Sequence, residues 1–319
     1  MGDFFKYIVF FYFFLFSAII NAQLLENKKK IDVGLYVEDI HGIDYQQAKY
    51  EIVMWVWINS RDGIYNFEEE LDIPNSTNTE ISSVLYDSLK TGEFHSECKI
   101  RATVLNKFDV KNYPFDKQKL MFLLEFSRYS SEEINIKIDS KQSKLIPEYI
   151  EDWITKSYSA KIVSNDYGSN FGDLHTKESI AYPGISLEIN LVRNSWNLYY
   201  KSFITLFLSF FLASLSFFYP NNHSEEKIGL IVGSLFTTVG NKYVTDEILP
   251  IQNSLNLSDK LHLLTILIIT LIAAHSIFEQ RMKIKDSLKL DLVIYFIFLT
   301  VFCSGVLYFT YSSIINGSF

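Results

Sequence analysis

Alternating apolar and polar positions dominate the first half of the chain. In VGLYV (33–37) and YEIVMWVWINS (50–60) nearly every second residue is a buried-type apolar residue, which is the period of a half-buried β-strand. Turn residues separate such runs throughout residues 31–195. Short strands at this spacing predict an all-β, immunoglobulin-like sandwich. Five further strands are predicted at 99–104, 119–126, 134–138, 157–163 and 185–192.

Long apolar runs dominate the second half, residues 196–319. Four segments reach the length of about 20 residues that a membrane-spanning helix needs. The connections between them are short, which makes consecutive helices antiparallel neighbours. The pattern therefore predicts a four-helix transmembrane bundle after the sandwich. The predicted spans are about 196–219, 226–248, 257–279 and 290–315.

Residues 1–22 have the features of a secretory signal peptide. Lys6 precedes the apolar run 7–20, and Ala22 is a small residue suited to cleavage. An uncleaved anchor helix is the alternative, although the run is short for a span. We therefore expect residues 23–195 to form a periplasmic or extracellular ligand-binding domain. The basic residues at 281–289 fit the positive-inside rule, so we expect a multi-pass protein of the cell inner (plasma) membrane.

Composition and spacing exclude several classes of function. The net charge of −8 argues against nucleic acid as a partner. Cys98 and Cys303 lie in different halves, so no disulfide framework is expected. Phosphate-binding loops, nucleophile elbows and metal-ligand spacings are absent from the sequence, so we expect no enzyme, cofactor or metal. A polytopic membrane enzyme is a third alternative, but His262 and His275 are too isolated to form its site.

The second predicted span is too polar to face lipid. EEKIGLIVGSLFTTVGNKYVTDEILP (225–250) contains three glycines and Lys242, and carboxylates bracket it. Polar residues at membrane depth face a bundle interior or water, so we expect this helix to line a pore. Alternatively, the glycines are packing sites, the acids cap the helix, and Phe236 contacts core or lipid. The candidate pore and selectivity residues are Glu226, Gly229, Gly233, Phe236, Gly240 and Glu247.

Several copies of this helix around one axis would stack these residues in rings. A ring of Glu226 carboxylates would attract cations and repel anions, and Glu247 would form a second ring at the outer mouth. Phe236 lies near the middle of the helix, where a hydrophobic constriction can close a path by dewetting. This arrangement predicts cation selectivity.

A second motif precedes strand 119–126. YPFD (113–116), with Gln118 two residues further on, resembles the signature loop of the pentameric ligand-gated ion channels, the Cys-loop receptor superfamily. A Trp-containing strand (WVWINSRD, 55–62) precedes it, Arg193 lies just before the first span, and the second span ends in DEILP (246–250). The two loop cysteines of eukaryotic members are absent. The chain therefore resembles the prokaryotic members over about residues 31–315.

The resemblance implies how the two halves communicate. In that family the signature loop lies at the junction of the two domains, so Asp116 is expected near Arg193, with Pro114 and Phe115 beside them. The turn near 42–47 and the segment after Pro250 would meet the loop there. The alternative is two unrelated surface charges.

The resemblance also implies an agonist site between adjacent subunits, under the hairpin at 167–182. Aromatic faces there can bind a cation, whereas Arg128 suggests an anionic ligand. Alternatively, these side chains belong to the core or the surface. The candidate ligand-binding residues are Arg128, Tyr129, Tyr167, Phe171 and Tyr182.

These features together predict a homopentameric ligand- or proton-gated cation channel. Its expected partners are four further copies of the chain, the lipid bilayer, a small-molecule agonist or protons, and the permeating cations. The alternative is a non-conducting, membrane-anchored receptor of the same fold. The glycines and Lys242 in the second span favour that alternative.

Overall fold

The computed structural model describes residues 28–172, 179–220, 223–250, 254–282 and 288–317 of the chain. The expected signal peptide, 1–22, lies outside the described residues. The strands are β1 (Lys29–Asp44), β2 (Lys49–Ser60), β3 (Ser76–Ser88), β4 (Phe94–Leu105), β5 (Lys117–Glu125), β6 (Ile134–Ile138), β7 (Trp153–Asp166) and β8 (Ala181–Arg193). The helices are α1 (Phe67–Glu70), α2 (Ser195–Ser214), α3 (Ser224–Ile248), α4 (Leu257–Met282) and α5 (Leu288–Gly317), with a 3-10 turn at Leu215–Phe218.

Two sheets enclose the first hydrophobic core. One has the strand order β3-β4-β2-β1-β6 and the other β5-β8-β7. The strand pairs are antiparallel except β1 with β6, which is parallel. In β2 the side chains of Ile52, Met54 and Val56 are buried in this core, whereas Trp55 and Trp57 lie partly exposed on the other face. The period-2 pattern therefore decides which face of the strand is buried.

The seven strands predicted from the sequence are confirmed. Strand β3 was not predicted, because its sequence STNTEISSVLYDS contains few apolar residues and little alternation. It lies at the edge of the five-stranded sheet, where it pairs only with β4. An edge strand needs little apolar surface, so the pattern that identifies buried strands does not detect it.

The long helices share a second core. Phe210 of α2 stacks on Phe302 of α5 with ring centroids 3.9 Å apart, and Ile231 of α3 and Ile268 of α4 pack around them. Most of the apolar surface of α5 stays exposed in a single chain. A largely exposed apolar helix is stable where lipid or another chain covers it.

The predicted fold class, an all-β sandwich followed by a four-helix transmembrane bundle, is wrong. The structure has mixed α/β content, 40% helical and 36% strand, with five helices among the described residues. In the described part, three helices are long and apolar enough to cross a membrane: Ser195–Phe218, Leu257–Met282 and Lys289–Gly317. The helix α3 is long enough but too polar, because acids occupy both its ends and Gly240, Asn241 and Lys242 interrupt it. The prediction counted this segment as a fourth span by its length and assigned its polar residues to a pore, but its composition is not apolar enough for a membrane-spanning helix. Three such helices are compatible with a membrane location.

The sheets and the helices meet at one end of the molecule. Strand β8 continues into α2 after a single residue, Asn194. Leu249, which follows α3, is buried in the core between the sheets. At the other end of the chain, the Ser313 hydroxyl of α5 donates to the Asn112 carbonyl at 3.1 Å. Three of the long helices are therefore anchored to the sheet region at this junction.

Candidate functional site

The junction contains a buried ion pair. Arg193 Nε donates to Asp116 Oδ1 at 3.0 Å, and the two side chains are 8% and 1% exposed. The second carboxylate oxygen, Oδ2, accepts hydrogen bonds from the Tyr45 hydroxyl at 3.0 Å and from the Gln118 amide at 2.6 Å. The structure thus brings together the signature-loop aspartate and the basic residue before the first span. Tyr45 adds a contact from the β1–β2 turn.

Aromatic rings enclose the guanidinium of Arg193. Its centre lies 4.2 Å from the Trp153 ring, 5.3 Å from Tyr45 and 5.5 Å from Tyr113, within the range of cation–π attraction. Burial lowers the pKa of Arg193 to about 10. Burial also raises the pKa of Asp116 to about 6, although the hydrogen bond from Gln118 acts in the opposite direction. Desolvation therefore opposes both charges, and the pair contributes fixed geometry more than net stability.

The same loop rests on the helices. Pro114 is buried and follows a cis peptide bond. The ring of Phe115 lies 5.2 Å from Trp196 and 5.5 Å from Tyr199, both in α2. These contacts connect the loop that holds Asp116 to the start of the first apolar helix.

Gln46 connects the β1–β2 turn directly to the end of α3. Its amide Nε2 donates to three backbone carbonyls, at 3.0 Å to Asp246, 3.2 Å to Glu247 and 2.7 Å to Leu249. The last carbonyls of a helix have no partner within the helix, so this amide caps it. The sequence placed the turn 42–47 at the junction, but no local signal identified the glutamine.

The candidate pore residues share the exposed face of α3. Ile231, Ser234 and Thr238 face the neighbouring helices and are buried, and the Thr238 hydroxyl lies 2.7 Å from that of Ser209 in α2. Seven-residue spacing places the candidates on the opposite side, as expected for a helix. All six are exposed: Glu226, Gly229, Gly233, Phe236, Gly240 and Glu247.

The glycines of this face have open space before them. A Cβ added at Gly229, Gly233 or Gly240 would meet no atom of the described residues within 4 Å. Packing within one chain therefore does not explain these glycines. Phe236 and Tyr243 project from the same face, each 74% exposed. The surface of α3 therefore recedes at the glycines and protrudes at Phe236 and Tyr243.

Charged residues near this face have partners within the chain. The Glu226 carboxylate lies 3.0 Å from His223 Nδ1 and stays about half exposed. Lys242 bonds to Asp246 in the same helix and to Asp259 of α4 at 2.7 Å. Its ammonium is thus neutralised by two carboxylates beside the glycine face. This pairing weakens the support that Lys242 gives to the non-conducting alternative.

Three of the five ligand-binding candidates form an aromatic cluster. The ring centroids of Tyr167, Phe171 and Tyr182 are 5.7–6.3 Å apart. The Tyr167 hydroxyl donates to Glu125 Oε2 at 2.9 Å, and burial together with this carboxylate raises its pKa to about 12. Phe171 is 66% exposed. Part of the predicted ligand hairpin, 173–178, lies outside the described residues.

The other two candidates have partners elsewhere in the chain. Arg128 Nη1 lies 3.1 Å from Glu69 and 4.0 Å from Glu70. The Tyr129 hydroxyl accepts a hydrogen bond from Lys29 Nζ at 2.8 Å, and the same ammonium lies 4.6 Å from its ring centre. Lys29 is 100 residues away in sequence, so no local sequence pattern predicts this contact. The chain's own cation occupies the position that Tyr129 was expected to offer a ligand.

A polar cluster that the sequence analysis missed lies at the far end of the helices. His275 and Glu279 of α4 lie beside Asp291 of α5, with one ligand atom from each within 4.8 Å of the others. His275 is isolated from the other histidines in sequence, but its partners are carboxylates. Glu279, four residues later and so on the same helix face, was the available signal.

The described residues thus present an enclosed ion pair at the junction, a polar exposed helix face and an aromatic cluster on the sheets. Comparison with known proteins adds no relative: no protein-family model matches the chain, and no curated protein matches it.

Proposed function

We propose that this chain forms a homopentameric, ligand- or proton-gated cation channel of the pentameric ligand-gated type, with α3 lining its pore. The observation that carries the proposal is the exposed face of α3. It bears Glu226 and Glu247 at its ends and three glycines at which an added Cβ would meet no atom of the described residues within 4 Å. Such a surface is unfavourable against lipid, so it requires water or another polar surface beside it.

Oligomerisation is part of the proposal, because one helix cannot enclose a path. The three apolar helices supply surface suited to lipid, whereas α3 packs between α2 and α4 on one side and is open on the other. Copies related by a rotation axis would bury the open faces around a common polar channel. The expected setting is the inner membrane, with the sheet region in the periplasm.

The junction supplies a route from the sheets to the pore helix. Agonist binding between adjacent sheet regions, near Tyr167, Phe171 and Tyr182, would shift β7 and β8. Strand β8 ends at Arg193, whose partner Asp116 also bonds Tyr45 of the β1–β2 turn. The same turn holds the end of α3 through Gln46. This contiguous network of polar contacts is what the proposed gating would use.

Protons are one candidate stimulus because Asp116 is part of this network. Its pKa of about 6 places its titration near neutral pH. Protonation would discharge the carboxylate that faces Arg193. The alternative stimulus is a small-molecule agonist at the aromatic cluster.

The second candidate function is a non-conducting receptor. Phe236 and Tyr243 favour it, because both large rings project 74% exposed from the face that would line the path. Rings of such residues can keep a pore dry and closed.

Ion flux and its selectivity test the proposal. Purified full-length protein in liposomes should pass cations when pH is lowered or candidate agonists are added. Glu226→Ala should shift the reversal potential toward that of the anion. One carboxylate contributes on the order of 1 kcal/mol to a cation about 4 Å away in water-like surroundings, so the permeability ratio should fall about fivefold or more.

Glu68→Ala is the matched control, since Glu68 is an exposed carboxylate on α1 of the sheet region. It should leave the reversal potential unchanged. Absence of flux across the whole pH and ligand screen would favour the non-conducting receptor. An unchanged reversal potential in Glu226→Ala would remove Glu226 as the selectivity residue.

A further inference from the structure

Three helices bring ionisable side chains together at the end remote from the sheets. Lys227 lies in the first turn of α3, His275 and Glu279 near the end of α4, and Asp291 in the first turn of α5. The opposite ends of these helices approach the sheet region, which places this cluster at the far end of the helical layer. It plays no part in the proposed selectivity or coupling.

The separations in the cluster suit a small, tetrahedrally coordinated cation. His275 Nε2 lies 3.5 Å from Glu279 Oε1 and 3.9 Å from Asp291 Oδ1. Zn²⁺ binds nitrogen and carboxylate oxygen at about 2.0–2.2 Å, so its tetrahedral ligands lie roughly 3.4 Å apart. Small side-chain rotations would bring all three atoms to that spacing. The i,i+4 pair of His275 and Glu279 already shares one helix face.

The nitrogen at the centre of the cluster lacks a hydrogen bond. His275 Nε2 is buried and finds no hydrogen-bond partner among the described residues. The ring is held by stacking on Phe217, with centroids 5.6 Å apart and planes inclined by 29°. A buried polar atom without a partner calls for an explanation, and an ion that uses it as a ligand is one. Nε2 faces the carboxylate oxygens of Glu279 and Asp291 at 3.5 Å and 3.9 Å, and a cation bound to the deprotonated nitrogen would lie between them.

The charges of the cluster also favour a bound cation. The side chains of Glu279 and Asp291 are only 6% and 11% exposed. Among the described residues, the Lys227 ammonium lies 3.5 Å from Glu279 Oε2, whereas His275 approaches the other carboxylate oxygen, Oε1. Two largely buried carboxylates beside this one described ammonium leave part of their charge without a described counter-ion in a poorly solvated place. A divalent ion next to His275 and Asp291 would offset it.

We propose that His275, Glu279 and Asp291 bind a divalent transition metal of the Zn²⁺ class. Imidazole with two carboxylates is a donor set that zinc accepts, and it leaves a fourth position for water. Alkaline-earth ions prefer six or more oxygens and would not use the imidazole. The site connects α4 to α5 and, through Glu279, lies beside Lys227 of α3. The inference does not depend on conduction.

Direct titration of the purified full-length chain tests the site. After chelator treatment, the wild type should bind one Zn²⁺ per chain by calorimetry, and Co²⁺ should give the intense visible bands of a tetrahedral site. His275→Phe keeps the stacking on Phe217 and removes the nitrogen. It should weaken binding at least about tenfold, since loss of even a group that only supports a metal ligand costs roughly 10–100-fold in metal affinity.

His41→Phe is the matched control. His41 also lies between two acids, with Asp39 at 2.8 Å and Glu51 at 3.2 Å, but they approach opposite ring nitrogens and cannot share one ion with it. This variant should bind Zn²⁺ as the wild type does. Wild-type protein that takes up no Zn²⁺, or His275→Phe that binds equally well, would overturn the proposal.

Asp291→Asn guards against a folding defect, since it preserves shape. Each variant must be monodisperse by size-exclusion chromatography and helical by circular dichroism before its Zn²⁺ binding is compared. If His275→Phe does not fold, weakened Zn²⁺ binding by Asp291→Asn supports the site. Unchanged affinity and stoichiometry in Asp291→Asn overturn it.

Discussion

Asp116 and Arg193 form an ion pair at 3.0 Å although 77 residues separate them in sequence. One belongs to the loop before β5 and the other ends β8, immediately before the first apolar helix. Both side chains are almost completely enclosed. The pair therefore fixes the position of the loop relative to the helix.

Asp116→Ala should destabilise the protein by about 3–5 kcal/mol, because it leaves the buried Arg193 without its counter-ion. Denaturant unfolding of the detergent-solubilised chain, followed by Trp fluorescence, measures the change. Lys119→Ala is the control. Its ion pair with Glu188, at 2.9 Å, is 48% and 23% exposed, so its loss should cost less than about 1 kcal/mol. Equal effects in the two variants would show that burial of the Asp116 pair carries no special cost.

The pH dependence of stability should reflect the raised pKa of Asp116. Burial raises this pKa from 3.8 to about 6, so the folded state binds a proton more tightly than the unfolded state does. The stabilising contribution is therefore complete below 3.8 and is lost as pH rises through about 6. Asp116→Asn cannot titrate and should flatten the free energy of unfolding over this window.

Glu188 provides the contrast for that measurement. The hydrogen bond from Lys119 lowers its pKa below 4.5, so its contribution has the opposite sign and is lost as pH falls. Glu188→Gln should leave the slope near pH 6 unchanged. If Asp116→Asn keeps the wild-type slope there, another group carries the pH dependence.

Gln46→Ala should loosen the end of α3, because it removes the amide that caps three carbonyls. Hydrogen exchange of the backbone around residues 244–249 should become about fivefold faster or more, as expected for the loss of roughly 1 kcal/mol of hydrogen bonding. In a conducting channel the same change should raise the stimulus needed for activation while agonist binding is kept. Gln47→Ala, one residue away and exposed, should do neither. Wild-type exchange in Gln46→Ala would exclude the capping role.

Phe236→Ala should widen the proposed path at its middle and increase ion leak in the absence of a stimulus. The ring is 74% exposed on the glycine-bearing face, and a dewetted constriction depends on such apolar bulk. Phe296→Ala is the control, because Phe296 is 57% exposed on α5, which belongs to the apolar surface suited to lipid. Liposome flux assays compare the two. Unchanged leak in Phe236→Ala would move the constriction elsewhere, with Tyr243 the next candidate.

Much of the local structure follows from the chain itself. The period-2 pattern of β2 identifies its buried residues because a sheet needs one dry face. The seven-residue spacing from Glu226 to Glu247 places these acids on one side of α3, because seven residues make about two turns of an α-helix. The prediction missed the polar edge strand β3, which has no clear apolar pattern. It also counted α3 as a fourth span, whereas three described helices are apolar enough to cross a membrane.

Polar partnerships across long sequence separations could not be predicted. The Lys29 ammonium contacts the ring and the hydroxyl of Tyr129. Gln46 caps a helix about 200 residues away in sequence. Arg128 was proposed for a ligand but pairs with Glu69. Hydrogen bonds depend on atoms meeting within tenths of an ångström, and side-chain identity alone does not encode that meeting.

The sequence by itself determined seven of the eight described strands, the apolar helices, the polar stripe of α3 and the residue types at the junction, because these depend on periodicity and on local chemistry. Only the tertiary structure decided that α3 turns its glycines outward, that Asp116 and Arg193 exclude water between them, and that His275 meets Asp291 of another helix. These arrangements depend on how whole elements pack, since burial and charge pairing are properties of neighbours in space.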